Sequence, residues 1–364
     1  MKLAIITHTP HWKEQMDYYA YGPYVREMNL WNKYSDQVIV VAPLSKKEKS
    51  EIHWKYTKEI TLKEVNGLSF VSFSQSLSSL FKLPWICYIL FRAMQEADHI
   101  HLRCPGNIGL LGCLVQILFP QKKKTAKYAG NWDPNSKQPW SYKLQKWILS
   151  NTFLSKNMQV LVYGEWPDMT RNIKPFFTAS YPETYKQRST KSNTTPINFV
   201  FVGSLVKGKR PEYAIQLVKN LNKNGVKANL DIYGDGELKN SLIQDSGKNI
   251  VFHGNRPANS VQKAYKKANF IVLPSKSEGW PKVVAEGMFY GAVPLVTKVS
   301  CVPWMLGDQS RGLLLTLDIE KDITSIKRLI DDTKRYSQMS LEAQNWSQNY
   351  TLDSFEIAIK KLIL

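Results

Sequence analysis

Short apolar runs alternate with helical patterns along the whole chain, and the alternation restarts once. Runs of strand character lie at Leu3–Thr7, Gln37–Ala42, Leu68–Phe73, His99–Leu102, Thr125–Ala129 and Gln159–Val162. Helical periodicity fills 17–34, 77–96, 107–118 and 139–150. The series begins again at Ile197–Val202 and continues through Asn229–Tyr233, Ile250–His253, Phe270–Leu273, Pro294–Thr297 and Gly312–Leu315. Strand–helix alternation predicts α/β architecture, with parallel sheets covered on both faces. A chain of 364 residues has material for two such cores. Residues 181–196, rich in Thr, Ser, Lys and Gln without apolar periodicity, read as the linker. The domains are then 1–180 and 197–345, followed by a helical pattern over 346–364.

Lys and Arg number 49 against 30 Asp and Glu, a net charge of +19. Residues 1–180 hold +10 of the excess and the remainder +9, so it is no tail. Such a field attracts phosphates, anionic lipid or nucleic acid. No nucleic-acid module is recognisable, which argues against the last. Much of the charge is also explained as solvated lysine. The four cysteines have no metal spacing and read as free thiols in a reducing compartment. The start reads as a strand, not a signal peptide. The longest apolar run, Ile108–Phe119, is 12 residues long and contains Gln116, too short to cross a bilayer. A cytoplasmic protein is expected, free or docked at the inner face of the cell membrane.

The most informative stretch is SEGWPKVVAEG, residues 277–287. It follows the run Phe270–Leu273 and opens a helix at Pro281, a residue favoured at the first helical position. The free N–H groups of such a turn favour a phosphate. Glu278 stands before the turn, and Glu286 lies within an otherwise apolar helix. A buried carboxylate needs hydrogen-bond donors, and sugar hydroxyls supply them. Phosphate donors beside hydroxyl acceptors suit a nucleotide sugar.

With Gly279, Pro281, Gly291 and Pro294 in register, this segment resembles the E-x7-E signature of retaining glycosyltransferases of family GT4. The resemblance implies the GT-B fold: two facing Rossmann-like domains with a central cleft, and a C-terminal helix (346–364) that packs back on the first. It further implies that Glu278 contacts donor-sugar hydroxyls and Glu286 the ribose. Lys209 and the helix start, Gly279, Trp280, Pro281, Lys282 and Val283, would hold the diphosphate. No metal and no other cofactor are implied.

FVGSLVKGKRPEYAIQLV, residues 201–218, resembles the family's diphosphate loop after the first strand of the donor domain. Gly203 and Lys209 match. Ser204 replaces the usual arginine and Arg210 the usual glycine, so Arg210 or Lys207 is left to supply the second cation. Gly234 and Gly236 resemble the family's strand-end turn, where glycine permits close backbone approach. Asp235 and Glu237 in that turn are not read as metal ligands. Asn255 and Arg256, after the strand Ile250–His253, fall in the loop that meets the nucleotide base.

In the first domain, Gly22 stands at the family's glycine pair, with His8 and His11 at the mouth of that loop. A histidine there either touches the acceptor or is an exposed turn residue. His101 or Arg103 would line the cleft. Asn131 occupies a position where relatives carry a histidine on the donor sugar. The segment 77–95, with Lys82 and Arg92, and the run Lys122–Lys124 could dock on anionic lipid. Burial of one face of helix 84–95 in the core is the simpler account.

The expected activity is metal-independent transfer of a sugar from a nucleoside-diphosphate sugar to a saccharide or lipid-linked saccharide, with retention, in cell-surface polysaccharide or glycolipid synthesis. Two alternatives stand beside it: an inactive nucleotide-sugar binder, and a nucleotide-sugar epimerase of the same fold. No G-x-G-x-x-G follows either first strand, which argues against an oxidoreductase.

Overall fold

A computed structural model of the protein describes residues 1–67, 73–188, 191–192 and 195–363, with the backbone alone for 73–80. It divides into two compact units, one of Met1–Phe176 with Glu356–Leu364, the other of Phe177–Phe355.

Unit 1 opens with β1 (Lys2–Ile6), β2 (His11–Glu14), β3 (Asp17–Tyr21), α1 (Gly22–Asn32), β4 (Gln37–Ala42), β5 (His53–Lys55) and β6 (Thr61–Glu64). It continues with α2 (Phe73–Glu96), β7 (His99–Cys104), α3 (Asn107–Val115), β8 (Lys123–Tyr128), α4 (Trp140–Ser150), β9 (Met158–Tyr163) and β10 (Ile173–Phe176). The main sheet has the order β10-β9-β8-β7-β1-β4-β6, every pair parallel. Helix α2 lays Ile86, Leu90, Ala93 and Met94 onto it at helical spacing, and Ile148 and Leu149 of α4 join the same core. Apart from Ala93, each such side chain contributes about 1.5–3 kcal/mol on full burial. The run expected at 68–73 lies outside the described residues, except Phe73, which begins α2.

The helix expected over 17–34 starts only at Gly22. The aromatic run Asp17–Tyr21 instead forms the middle strand of an antiparallel sheet, β2-β3-β5. Tyrosine-rich segments fit a pleated, half-buried surface better than a helix, and Pro23 in the first turn then starts α1.

Unit 2 contains β11 (Ile197–Val202), α5 (Pro211–Lys223), β12 (Ala228–Tyr233), α6 (Lys239–Gln244), β13 (Ile250–Gly254), α7 (Ala258–Lys267) and β14 (Phe270–Leu273). After these come α8 (Lys282–Phe289), β15 (Val293–Thr297), α9 (Val302–Leu306), β16 (Leu313–Leu315), α10 (Ile319–Asp331), α11 (Thr333–Ser347) and α12 (Leu352–Ile363). Its parallel sheet runs β13-β12-β11-β14-β15-β16. The order reverses between β11 and β14. A crevice opens at the carboxyl ends of strands at such a switch point, and ligands bind there.

Two boundaries differ from expectation. Described residues of the expected linker are laid on unit 2: Tyr181 packs on Phe289 and Tyr290 at 5.1 and 5.2 Å between ring centroids. Buried Lys191 donates to Tyr265 O at 3.2 Å. The helix expected at 346–364 is broken: α11 ends at Ser347, and Thr351 Oγ1 accepts the Ser354 N–H at 3.1 Å to start α12. The division between units falls inside α12. Within unit 1, Glu356 accepts from Lys33 Nζ at 2.7 Å and Tyr34 OH at 3.1 Å.

Candidate active site

At the switch point of unit 2, the loop after β11 meets the loop after β14. Lys276 N donates to Gly208 O at 2.8 Å, and Arg210 Nη1 donates to Pro274 O at 3.1 Å. Lys209 Nζ lies 2.5 Å from Glu278 Oε1, with the lysine side chain 30% exposed and the glutamate 10%. Arg210 has φ 50° and ψ 51°, the left-handed conformation that glycine adopts most easily. The chain keeps this turn with arginine and thereby gains a tie between the loops.

The Glu278 loop is also clamped from β15. Thr297 Oγ1 donates to Ser275 O at 2.5 Å, Ser300 Oγ to Gly279 O at 2.9 Å and Cys301 Sγ to Gly279 O at 3.2 Å. Burial, with the Glu278 charge adding to it, pushes the Cys301 thiol up to about 12, so it is a hydrogen-bond donor and no nucleophile. The sequence gives no sign of these clamps; Ser300 and Cys301 follow a strand without any motif of their own. The turn glycines behave as expected. A Cβ on Gly234, at φ +135°, would lie 2.0 Å from Gly203 O, and one on Gly236 would lie 2.5 Å from Leu205 O. Exposed Ser204 precedes this contact.

Helix α8 begins at Lys282, with Pro281 as its N-cap rather than its first residue, and no side chain caps it. Its Val284 and Ala285 amides bond Pro281 O at 3.0 and 3.3 Å. Val283 follows Lys282 in the first turn. The ring of Trp280 is buried against Trp304, Trp346 and Tyr350, with centroids at 6.2, 6.0 and 5.5 Å. The Trp280 side chain is therefore taken up by packing, and its backbone alone is left to a ligand. Glu286 is half-buried and accepts from Ser180 Oγ at 2.5 Å and Tyr265 OH at 3.1 Å. Its negative charge, after burial, drives the Tyr265 phenol well above its ordinary range.

Asn255 and Arg256 are exposed in the turn after β13. Beside them Tyr233 stacks on His253 at 4.3 Å and 10°, an aromatic pair that no sequence motif marks. Asp235 is occupied by Lys239 Nζ at 2.6 Å and the Gly236 N–H at 2.8 Å. Among the described residues, no group of three His, Cys, Asp or Glu is placed to hold a metal ion.

Unit 1 corrects several expectations. His101 does not line an opening: it is fully buried, with Nδ1 2.8 Å from Thr125 Oγ1 and its ring 4.0 Å from Trp31. Burial drives its pKa well below the usual histidine range. His11 is no exposed turn residue either. Its nitrogens meet Thr9 O at 2.9 Å and Tyr56 OH at 2.7 Å, and burial lowers its pKa to about 4. Arg103 pairs with Glu27, which also accepts from Lys127 Nζ at 3.0 Å. Gly22 begins α1 where a Cβ would lie 2.7 Å from the Trp54 ring. Asn131 spends its side chain on its own loop, accepting the Asp133 N–H at 2.9 Å. His8, by contrast, is exposed and lines a cavity of about 270 Å³ with Pro43, Gly106, Asn107 and Tyr142.

Two parallel-sheet Rossmann-like units define the class as the GT-B glycosyltransferase fold. Solved structures of that class match throughout. Anabaena HepE in complex with UDP and glucose aligns with TM-score 0.66 at 13% identity over 99% of this chain and 98% of that one. Sucrose-phosphate synthase from Thermosynechococcus elongatus aligns with TM-score 0.68 at 14% identity over the same shares. Residues 183–346, most of unit 2, match the model of the family glycosyl transferases group 1. An Escherichia coli UDP-Gal:alpha-D-GlcNAc-diphosphoundecaprenol alpha-1,3-galactosyltransferase is 29% identical over 306 residues, 77% of this chain and 76% of its own. An uncharacterized glycosyltransferase of Methanocaldococcus jannaschii is 24% identical over 176 residues, 47% of this chain and 49% of its own. The chain thus spans about half the length of the first curated relatives that it matches.

Proposed function

We propose that the protein transfers a sugar from a nucleoside-diphosphate sugar to a hydroxyl acceptor, with retention at the anomeric carbon and without a metal. The observation that carries the reading is the Lys209–Glu278 pair, 2.5 Å apart at the β11/β14 switch point and followed by the amino end of α8. A buried charge left alone costs several kcal/mol. A donor that sets its diphosphate against Lys209 and its sugar hydroxyls against Glu278 separates the pair without stranding either member. The N–H groups at the start of α8, with Gly279 and Lys282 beside them, meet the remaining phosphate oxygens. Gly203 and Ser204 present backbone to the same group, and Arg210 brings a second cation. Glu286 turns to the ribose. Asn255 and Arg256 meet the base edge.

In the transfer, the anomeric C–O bond to the diphosphate breaks, and its electron pair leaves with the diphosphate. The acceptor oxygen bonds the same face of the carbon, and its proton passes to the departing phosphate oxygen. No side chain acts as covalent nucleophile; positioning and charge stabilisation do the work. The name of the E. coli relative carries UDP-galactose and a diphospholipid-linked sugar. It supports a UDP-sugar donor, a lipid-linked saccharide acceptor and a role in cell-surface glycan assembly.

Membrane docking belongs to the same proposal. No helix among the described residues is long and apolar enough to cross a membrane. Helix α2, however, buries one face in the core and exposes Phe81, Trp85 and Tyr88 at 78%, 60% and 51% on another. Aromatic side chains at this spacing beside Lys82 and Arg92 suit the interface of an anionic bilayer on the cytoplasmic side.

The test is transfer from a panel of UDP-, GDP-, ADP- and dTDP-sugars to lipid-linked saccharides, in native protein and in Lys209→Ala and Glu278→Ala. Near-native rates in both variants would overturn the site. Donor binding with neither transfer nor epimerisation in the native protein would leave an inactive binder.

A further inference from the structure

Unit 1 holds a second opening, away from His8 and Gly106. Those residues follow the carboxyl ends of β1 and β7. At the amino ends of β7, β8 and β9, on the opposite edge of the same parallel sheet, lies a cavity of about 590 Å³. Its wall carries Lys123, Lys124, Lys156, Arg171 and Lys361, and no carboxylate among its described lining residues. Neither Lys156, Arg171 nor Lys361 has an ion-pair partner among the described residues. Cations gathered without acids repel one another, and an anion relieves that repulsion.

Two buried groups point the same way. Lys124 is only 2% exposed; its Nζ donates to Gln116 O at 3.2 Å and Phe119 O at 3.0 Å. An ammonium has three donors, so one N–H remains. Burial lowers this amine to about 8, and a bound anion would raise it again. His99 is 1% exposed, with Nε2 2.9 Å from Thr125 Oγ1 and with Nδ1 lacking any partner among the described residues. A buried polar atom left unmatched costs about 1–3 kcal/mol. The same ring lines the cavity, next to Lys123, whose charge adds to the burial that keeps it neutral.

We propose that this cavity binds a phosphate-bearing anion of the size of a diphosphate or a phosphorylated sugar. Cavities of about 300–1,000 Å³ suit organic ligands rather than a lone phosphate ion. Lys156, Arg171 and Lys361 meet the outer oxygens, and Lys124 and His99 the innermost one. The site lies on the sheet edge that α/β enzymes do not use for chemistry, so it serves as an anchor or effector site. The phosphate belongs either to a soluble metabolite or to a lipid headgroup.

Pyrophosphate titrated calorimetrically into the full chain is the direct measurement. One site per chain is expected to weaken at least tenfold in Lys156→Ala/Arg171→Ala, whose substituted side chains are exposed, while Lys209→Ala retains it. Unchanged affinity in the double variant, or loss only in Lys209→Ala, overturns the proposal. Histidine-selective nitrogen spectra give a second readout: the His99 ring signal should move with pyrophosphate in native protein and stay still in the double variant. A His99 signal indifferent to pyrophosphate also overturns it. Competition by phosphatidylglycerol vesicles, but not phosphatidylcholine vesicles, assigns the phosphate to a lipid; no competition assigns it to a soluble ligand.

Discussion

Each unit brings cationic and anionic side chains together, in opposite settings. In unit 2, Lys209 and Glu278 meet across two loops at a strand-end crevice. In unit 1, Glu27 of α1 holds Arg103 of β7 and Lys127 of β8, with side-chain exposures of 8%, 11% and 0%. In the proposed function a ligand parts the first pair while the fold stands. The second ties a helix to two strands and has nowhere to go. The same residue types therefore serve architecture in unit 1 and, in the proposed function, a ligand site in unit 2, and what separates them is whether their backbones lie on loops or inside elements.

The sharpest test of that contrast is Glu27→Ala. It removes the carboxylate that buried Arg103 and Lys127 share and should cost about 3–5 kcal/mol of stability, read as a drop in the urea midpoint. Lys209→Ala and Glu278→Ala should do the reverse. Transfer should fall by about 10²–10³, with a smaller loss of stability than Glu27→Ala because this pair lies on loops and is partly exposed; a collapse of stability with wild-type transfer would erase the distinction. Acid provides the next effect. His11 and His99 have folded values lowered by burial to about 4, against about 6.5 when unfolded. The unfolded chain then binds more protons between those values, so stability is full above pH 6.5 and falls as pH drops toward 4. The loss at pH 5 should be on the order of 2 kcal/mol per histidine, measured by urea denaturation at pH 7 and 5. Arg210→Gly is the smallest test. It relieves about 1 kcal/mol of left-handed strain but removes the Pro274 tie, so the melting temperature should hold or rise slightly while donor affinity falls.

Much of unit 2 was legible because its signals are local. Strands Ile197–Val202 and Phe270–Leu273 appear with the bounds expected, since each is a continuous apolar run. Glu278, Gly279 and Pro281 sit in one contiguous motif whose loop geometry follows from neighbours in sequence. Unit 1 offers single polar residues beside strand ends, where the residue type does not fix whether the side chain faces solvent or core: His8 is exposed, while His11 and His101 are buried. His101 alternates along β7 into the core, where Thr125 and Trp31 complete it. Neither partner is near it in sequence. The sheet β2-β3-β5 was missed for the same reason: its third strand comes from residues 53–55, a long way along the chain from Asp17–Tyr21. The partners Ser180 and Tyr265 of Glu286 were likewise beyond the reach of any motif.

The indole of Trp280 has one further consequence. It adjoins Gly279 and Glu278 in sequence, and its ring packs with Trp304 and Trp346, while the Arg311 guanidinium lies 5.0 Å over Trp346. Any shift of that loop changes the surroundings of a chromophore already built into the polypeptide. The protein has eleven tryptophans, so the part of its ultraviolet emission lost in Trp280→Phe should report loop movement in real time, without a dye, a tag or a coupled assay.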